Sequence, residues 1–201
     1  MNKKLIIFDF DDTLTDNSER DLHSFQYIIK KFNLKLMDKN KIFDWRKNSM
    51  TSEFIIKNLM NSNEEQLYQK YSQERLFFLE KSSSYTNYVK LKSCTLEILK
   101  KLKDDKYILA LNSIQSNHNN FLEIVKNFKI KDYFNEIVTD KLTSSHNSYE
   151  NRYNTKKKLY EKIFKKIKID EPEKILVIGN LFSDILPANN LGIESIMIKG
   201  S

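Results

Sequence analysis

Four groups of residues in this chain have types and spacings suited to chemistry. Three of them stand at the end of a short apolar run. The first is Asp9, Asp11, Asp12 and Thr13, which close the run Leu5-Ile6-Ile7-Phe8. On an extended chain, side chains two residues apart lean to the same side, so Asp9 and Asp11 converge while Asp12 points away. Convergent carboxylates repel unless a cation lies between them, and an oxygen-only donor set favours magnesium over zinc. The second group is Asn112-Ser113, after Tyr107-Ile108-Leu109-Ala110-Leu111. The third is Lys156, with Lys157 beside it, where Thr155 is the expected N-cap of a helix. A cation at a helix N-terminus is unfavourable unless an anion compensates it. The fourth follows Lys174-Ile175-Leu176-Val177-Ile178: Gly179 at the expected turn, then Asn180 and Asp184 four residues apart.

The elements that must position these groups follow from the apolar pattern. Runs this short, rich in β-branched residues and bounded by turn residues, read as buried strands, and ligands of open α/β sheets bind where strand carboxyl ends diverge. Glu136-Ile137-Val138-Thr139 and Ser195-Ile196-Met197-Ile198 supply two more strands. Helices alternate with them: Thr95 to Lys103 with Leu96, Leu99 and Leu102 inward, Asn119 to Phe128, and a helix after Thr155 with Leu159, Ile163, Phe164 and Ile167 on one face. Residues 141–155 read as a polar loop. Residues 16–90 differ from what flanks them. Asn17 or Ser18 caps a helix with Leu22, Phe25, Ile28, Ile29 and Phe32 at helical spacing, at least two further helices follow, and no strand is expected. The division is an α/β core of residues 1–15 and 91–201 with an all-helical insertion at 16–90. Within the insertion, Trp45-Arg46-Lys47-Asn48-Ser49-Met50 is placed between helical segments. Arg46 and Lys47 there are candidates to hold the distal part of an anionic substrate.

Composition narrows the classes. A chain of 201 residues with 40% hydrophobic and 30% charged residues, 3 Gly and 2 Pro fills one globular body and has no low-complexity linker. The net charge of +7 and the pI near 9.2 come from lysines spread over most helices, with no nucleic-acid fold signature, so sequence-specific nucleic-acid binding is not expected. No apolar run approaches the ~20 residues that span a bilayer, and no membrane association is expected. A single cysteine, Cys94, provides no disulfide framework, and the expected location is the cytoplasm. His23, His118 and His146 have no partners at ligand spacing, so a histidine metal site is not expected.

Asp9-x-Asp11-x-Thr13 after an apolar strand resembles the first motif of the haloacid-dehalogenase (HAD) superfamily of phosphohydrolases. The three later groups resemble its remaining motifs in order. The second is a strand closed by a hydroxyl that binds the transferring phosphoryl group; Asn112 takes that position by alignment whereas Ser113 supplies it by chemistry, and Ser113 is the expected residue with Asn112 beside it. The third is a lysine, Lys156 or its neighbour Lys157, with Lys141 more distant. The fourth is a GDxxxD element in which Asn180 replaces the first acid. The resemblance implies a doubly wound parallel sheet, a HAD-like Rossmannoid core, with an inserted helical cap above its carboxyl edge. It further implies Mg2+ held by Asp9, the backbone carbonyl of Asp11, Asp184 and the position of Asn180, with one ligand charge fewer than usual. Thr13, Asn112, Ser113 and Lys156 would bind phosphate. Asp9 would be the nucleophile and Asp11 the general acid and base. The expected activity is phosphatase action on a small phosphorylated metabolite. A phosphomutase, a nucleotidase and a non-catalytic phosphate-ligand-binding protein of the same fold are the alternatives.

Overall fold

A computed structural model of the chain describes residues 4–34, 37–48, 50–60, 64–81, 87–115, 117–143, 146, 149–169 and 171–198. In chain order its strands are β1 (Leu5–Asp9), β2 (Thr15–Asp16), β3 (Lys90–Leu91), β4 (Ile108–Gln115), β5 (Glu136–Lys141), β6 (Ile175–Gly179) and β7 (Glu194–Met197). The helices are α1 (Ser18–Lys31), α2 (Lys39–Lys47), α3 (Ser52–Met60), α4 (Glu65–Lys81), α5 (Thr95–Asp104), α6 (His118–Asn127), α7 (Tyr149–Ile167) and α8 (Phe182–Asn190).

Five strands form one parallel sheet in the order β5-β4-β1-β6-β7. β1 lies at its centre and is buried along its whole length, which is why it reads as an unbroken apolar run. Its residues alternate between two cores. Ile6 and Phe8 pack with Leu99 of α5 and Phe121 and Ile124 of α6, whereas Leu5 and Ile7 pack with Leu159, Tyr160 and Ile163 of α7 and Ala188 of α8. Helices on both faces leave the carboxyl edge of the sheet open, with β1 between strands that run outward in both directions.

The helical insertion has a core of its own, in which Leu22, Phe25, Ile28 and Ile29 of α1 meet Ile42 of α2, Ile55, Ile56 and Leu59 of α3, and Tyr68 and Tyr71 of α4. The arginine side chains of Arg75 and Arg46 lie over the ring of Phe25, at 4.5 and 5.3 Å from its centroid. The chain enters and leaves this body through β2 and β3, an antiparallel ribbon pairing Thr15 with Leu91 and Asp16 with Lys90. None of the described helices is long and apolar enough to cross a membrane.

Several local expectations are corrected. Residues 16–90 do contribute to a strand pair, since Asp16 and Lys90 sit in the ribbon. The inward face of α5 is Thr95, Leu99 and Leu102, and Leu96, one residue out of that stripe, is 44% exposed. Trp45 and Arg46 belong to the last turn of α2 rather than to a connection between helices. β4 does not stop at Leu111 but pairs with β5 as far as Gln115, so Asn112 and Ser113 lie within a strand. α7 starts at Tyr149, two turns earlier than Thr155, and absorbs much of the expected polar loop.

The central strand sets a stability expectation. Ile7→Ala removes a fully buried side chain from the α7 side of the sheet and should cost about 2–5 kcal/mol, read as a lower urea midpoint at unchanged slope.

Candidate active site

After β1 the chain turns tightly, and the amides of Thr13, Leu14 and Thr15 all donate to the Phe10 carbonyl, at 3.3, 3.0 and 3.3 Å. Asp12 makes the turn possible with a φ of 58°, a left-handed conformation that aspartate tolerates better than most residues. Its carboxylate caps the start of the insertion by accepting from the Asn17 amide at 3.0 Å. The turn returns Thr13 to Asp9, where its hydroxyl donates to Oδ2 at 3.0 Å and lies 3.4 Å from the Asn180 amide oxygen.

Lys156 occupies the centre. Its Nζ donates to Asp9 Oδ1 at 2.6 Å and Asn112 Oδ1 at 2.7 Å, and lies 2.9 Å from Asp184 Oδ1. Asn112 sits directly opposite Asp9 in the β1–β4 register, which puts both side chains on the α7 face. Ser113 therefore faces the other way, and its Oγ accepts from Gln115 Nε2 at 2.6 Å. Lys156, not Lys157 one residue and about a quarter-turn away, ends among the acids, while Lys141 is exposed at the end of β5.

Asp184 stands in the first turn of α8, where its Oδ2 accepts from the Leu181 amide at 3.0 Å. Gly179 is required by this approach rather than by a turn, because a Cβ there would lie 2.4 Å from the Asp184 Cβ. Tyr160 donates to the Asp184 carbonyl at 2.8 Å. Asp11 is held separately. Its Oδ1 accepts from Asn17 Nδ2 at 2.7 Å and Arg20 Nη1 at 3.0 Å, and its Oδ2 from Gln115 Nε2 at 3.0 Å.

Burial raises the Asp9 carboxyl to about 7, and the negative charges of Asp184 and Asp11 add to the shift while Lys156 opposes it. Burial also raises Asp12 to about 6, with Asp21 adding to it. Lys156 itself would lose affinity for its proton through burial, but Asp184 and Asp9 hold it above the ordinary lysine value.

A cavity of about 250 Å3 opens over these residues, lined on the sheet side by Asp9, Asp11, Ser113, Lys156, Asn180 and Asp184. Arg20, Asp21, Arg46 and Arg75 of the insertion and Arg152 of α7 complete its wall. Arg46 thus reaches the cavity, and the side chain of Lys47 lies outside the described residues. Arg20, Asp21, Arg75, Gln115, Arg152 and Tyr160 were not singled out from the sequence, and Asn17 was named only as a helix cap. Two carried a signal: Arg75 interrupts the apolar stripe Tyr71–Leu79 of α4 at four-residue spacing, and Arg152 lies four residues before Lys156 on the same face of α7. His146 contacts Thr143 and Thr155 rather than another ligand type. Among the described residues no three His, Cys, Asp or Glu side chains form a compact metal cluster. Asp9, Asp11, Asn180 and Asp184 all line the same cavity.

The family model described as haloacid dehalogenase-like hydrolase matches residues 6–198. No curated protein matches the chain in sequence. Among solved structures, a Clostridium difficile protein inferred to be a phosphatase is 21% identical with a TM-score of 0.76, over 100% of this chain and 87% of that one. A haloacid dehalogenase-like family hydrolase from Streptococcus pneumoniae is 18% identical with a TM-score of 0.73, over 97% and 84%. Protein Tyrosine Kinase A of Mycobacterium tuberculosis is 16% identical with a TM-score of 0.77, over 100% and 86%. At these identities the likeness is one of fold, and the descriptions name both hydrolases and a kinase on it.

The raised carboxyls give a sign to the pH dependence. The folded state retains protons on Asp9 and Asp12 that the unfolded chain releases near pH 4. The metal-free protein should therefore lose stability as the pH rises from about 4 to about 7. Thermal melts across this range should show the decline, and Asp9→Asn should flatten it.

Proposed function

The chain belongs to the haloacid dehalogenase-like hydrolases, and from that premise we propose that it is a magnesium-dependent phosphatase acting on a small phosphorylated metabolite through an aspartyl phosphate at Asp9. The observation that carries this reading is the meeting of Asp9 from the end of β1, Asn112 from within β4 and Asp184 from the first turn of α8 on the single ammonium of Lys156. A phosphate monoester is a dianion, and an anionic nucleophile approaches it only where cations offset the repulsion.

The donor set fits magnesium. It consists of hard oxygens only, and the two buried carboxylates of Asp9 and Asp184 share the single ammonium of Lys156. Asp9, Asp184, the Asn180 amide and the Asp11 carbonyl would hold the ion, which when bound supplies charge neutralisation for the phosphoryl oxygens and the nucleophile.

The steps belong to the chain's own residues. Asp9 attacks phosphorus, the bond to the ester oxygen breaks, and Asp11, protonated, delivers its proton to the departing alkoxide. Asn17, Arg20 and Gln115 fix the orientation of Asp11 for that transfer. Asp11 then takes a proton from water, whose oxygen attacks phosphorus and releases phosphate from Asp9. Lys156, Thr13 and Asn112 surround the phosphoryl position, with Asn112 in the place expected for a hydroxyl. Ser113 lines the cavity from the neighbouring position, anchored by Gln115. The cavity of about 250 Å3 falls below the ~300–1,000 Å3 of sites for drug-sized ligands, which favours a small metabolite over a nucleotide.

Phosphate release from p-nitrophenyl phosphate should require magnesium and should fall about 10³-fold or more in Asp9→Asn. Turnover that survives this substitution would refute the assigned nucleophile. Asn180→Asp adds a ligand charge, so the magnesium concentration giving half-maximal rate should drop. An unchanged requirement would remove Asn180 from the metal site.

A further inference from the structure

The insertion side of the cavity has a charge arrangement that the chemistry above leaves unused. Three guanidinium groups share one carboxylate: Asp21 lies 2.8 Å from Arg46 Nε, 3.0 Å from Arg75 Nη2 and 3.7 Å from Arg20 Nη2. Arg20 also reaches Asp11, at 3.0 Å. Arg152 enters from α7, its Nε donating to the His146 carbonyl at 2.6 Å, and among the described residues no carboxylate stands within ion-pair distance of it. Arg46 and Arg152 both line the cavity, and burial, with next the charge of Arg46, lowers the Arg152 guanidinium from its ordinary value. Buried like charges are costly unless an anion completes them, and the arginine fork matches carboxylate and phosphate in two-point contact.

The rest of the geometry fixes which part of a ligand meets them. Arg20 touches Asp11, the proton donor to the departing oxygen, so the arginine wall begins where the leaving group lies. We propose that Arg46 and Arg152 form a clamp for a second anionic group, a carboxylate or phosphate, carried on the leaving portion of the substrate. Asp21 and Ser52 hold Arg46 in position, the latter through Nη2 at 2.9 Å. The assignment to the leaving portion rests on the phosphatase reading, whereas the anion site rests on the guanidinium groups themselves. Because Arg46 comes from the insertion and Arg152 from the core, the bound anion would tie the two bodies together over the reacting centre.

Two phosphonates that cannot be hydrolysed test the clamp without turnover. Phosphonoacetate and methylphosphonate differ by one carboxylate, and calorimetric titration of the magnesium-loaded protein should show phosphonoacetate binding about tenfold or more tightly. Arg46→Gln and Arg152→Gln should each collapse that ratio, and the use of two positions guards against one variant failing to fold. Equal affinities in the unmodified protein, no binding of either compound, or a preference kept in both folded variants would overturn the clamp. A parallel comparison of kcat/KM for phosphoglycolate, 1,3-propanediol bisphosphate and ethyl phosphate tells a carboxylate site from a phosphate site. Hydrolysis of all three at similar rates, with equal phosphonate affinities, refutes the clamp and leaves the phosphatase standing. Tight phosphonoacetate binding with no hydrolysis of any ester refutes the phosphatase and leaves the clamp.

Discussion

A single buried ammonium organises the carboxyl edge of the sheet. Lys156 draws Asp9 from β1, Asn112 from β4 and Asp184 from the turn after β6, groups separated by much of the chain. Without it Asp9 and Asp184 would be two buried carboxylates with no cation beside them, and removing one partner of a buried ion pair leaves the other with an uncompensated cost of desolvation. The helix that supplies the lysine must present it at the right height above the sheet. α7 achieves this by starting at Tyr149, so that Lys156 lies well inside the helix and its face continues through Leu159, Tyr160 and Ile163 into the core.

The same physics appears with signs reversed on the other side of the cavity. In the core one cation stands among acids, whereas in the insertion one acid, Asp21, stands among guanidinium groups. Burial opposes the ionisation of Asp21, but Arg46, Arg75 and Arg20 together hold its carboxyl down at about 2. Such opposed centres facing one another across a small space suit a ligand with separated charges. On the proposed reading the floor would take a group whose cations accompany it, and the wall an anion directly.

The core was readable because its central strands are short and apolar, with β1 buried along its whole length, and because Asp9 and Asn180 stand where β1 and β6 end. The order of the four motifs then identified the sheet and the inserted helices. What could not be read depended on register and on contacts distant in sequence. Asn112 and Ser113 are equivalent neighbours until the pairing of Asn112 with Asp9 decides which faces the lysine. Ser, Asn and Tyr between 143 and 154 carry weak helix propensity and read as a loop, although α7 already begins at Tyr149. Gly179 looked like a turn residue, and only the position of the Asp184 Cβ reveals that it makes room. The arginines of the cavity wall were scattered among many other cations, and nothing local distinguishes Arg75 or Arg152 from a solvated lysine except its place on an otherwise apolar face.

The ribbon of β2 and β3 places the two chain crossings between core and insertion side by side, a few ångströms apart in a hydrogen-bonded pair. To the sheet, a long excursion of polypeptide is therefore equivalent to a short hairpin, since the cost of closing it depends on the distance between its ends and only weakly on its length. An exchange of everything beyond the ribbon would leave the strands beneath undisturbed. Such a joint makes the upper body a replaceable part, so that evolution can re-specify what enters the cleft without renegotiating how the lower body folds.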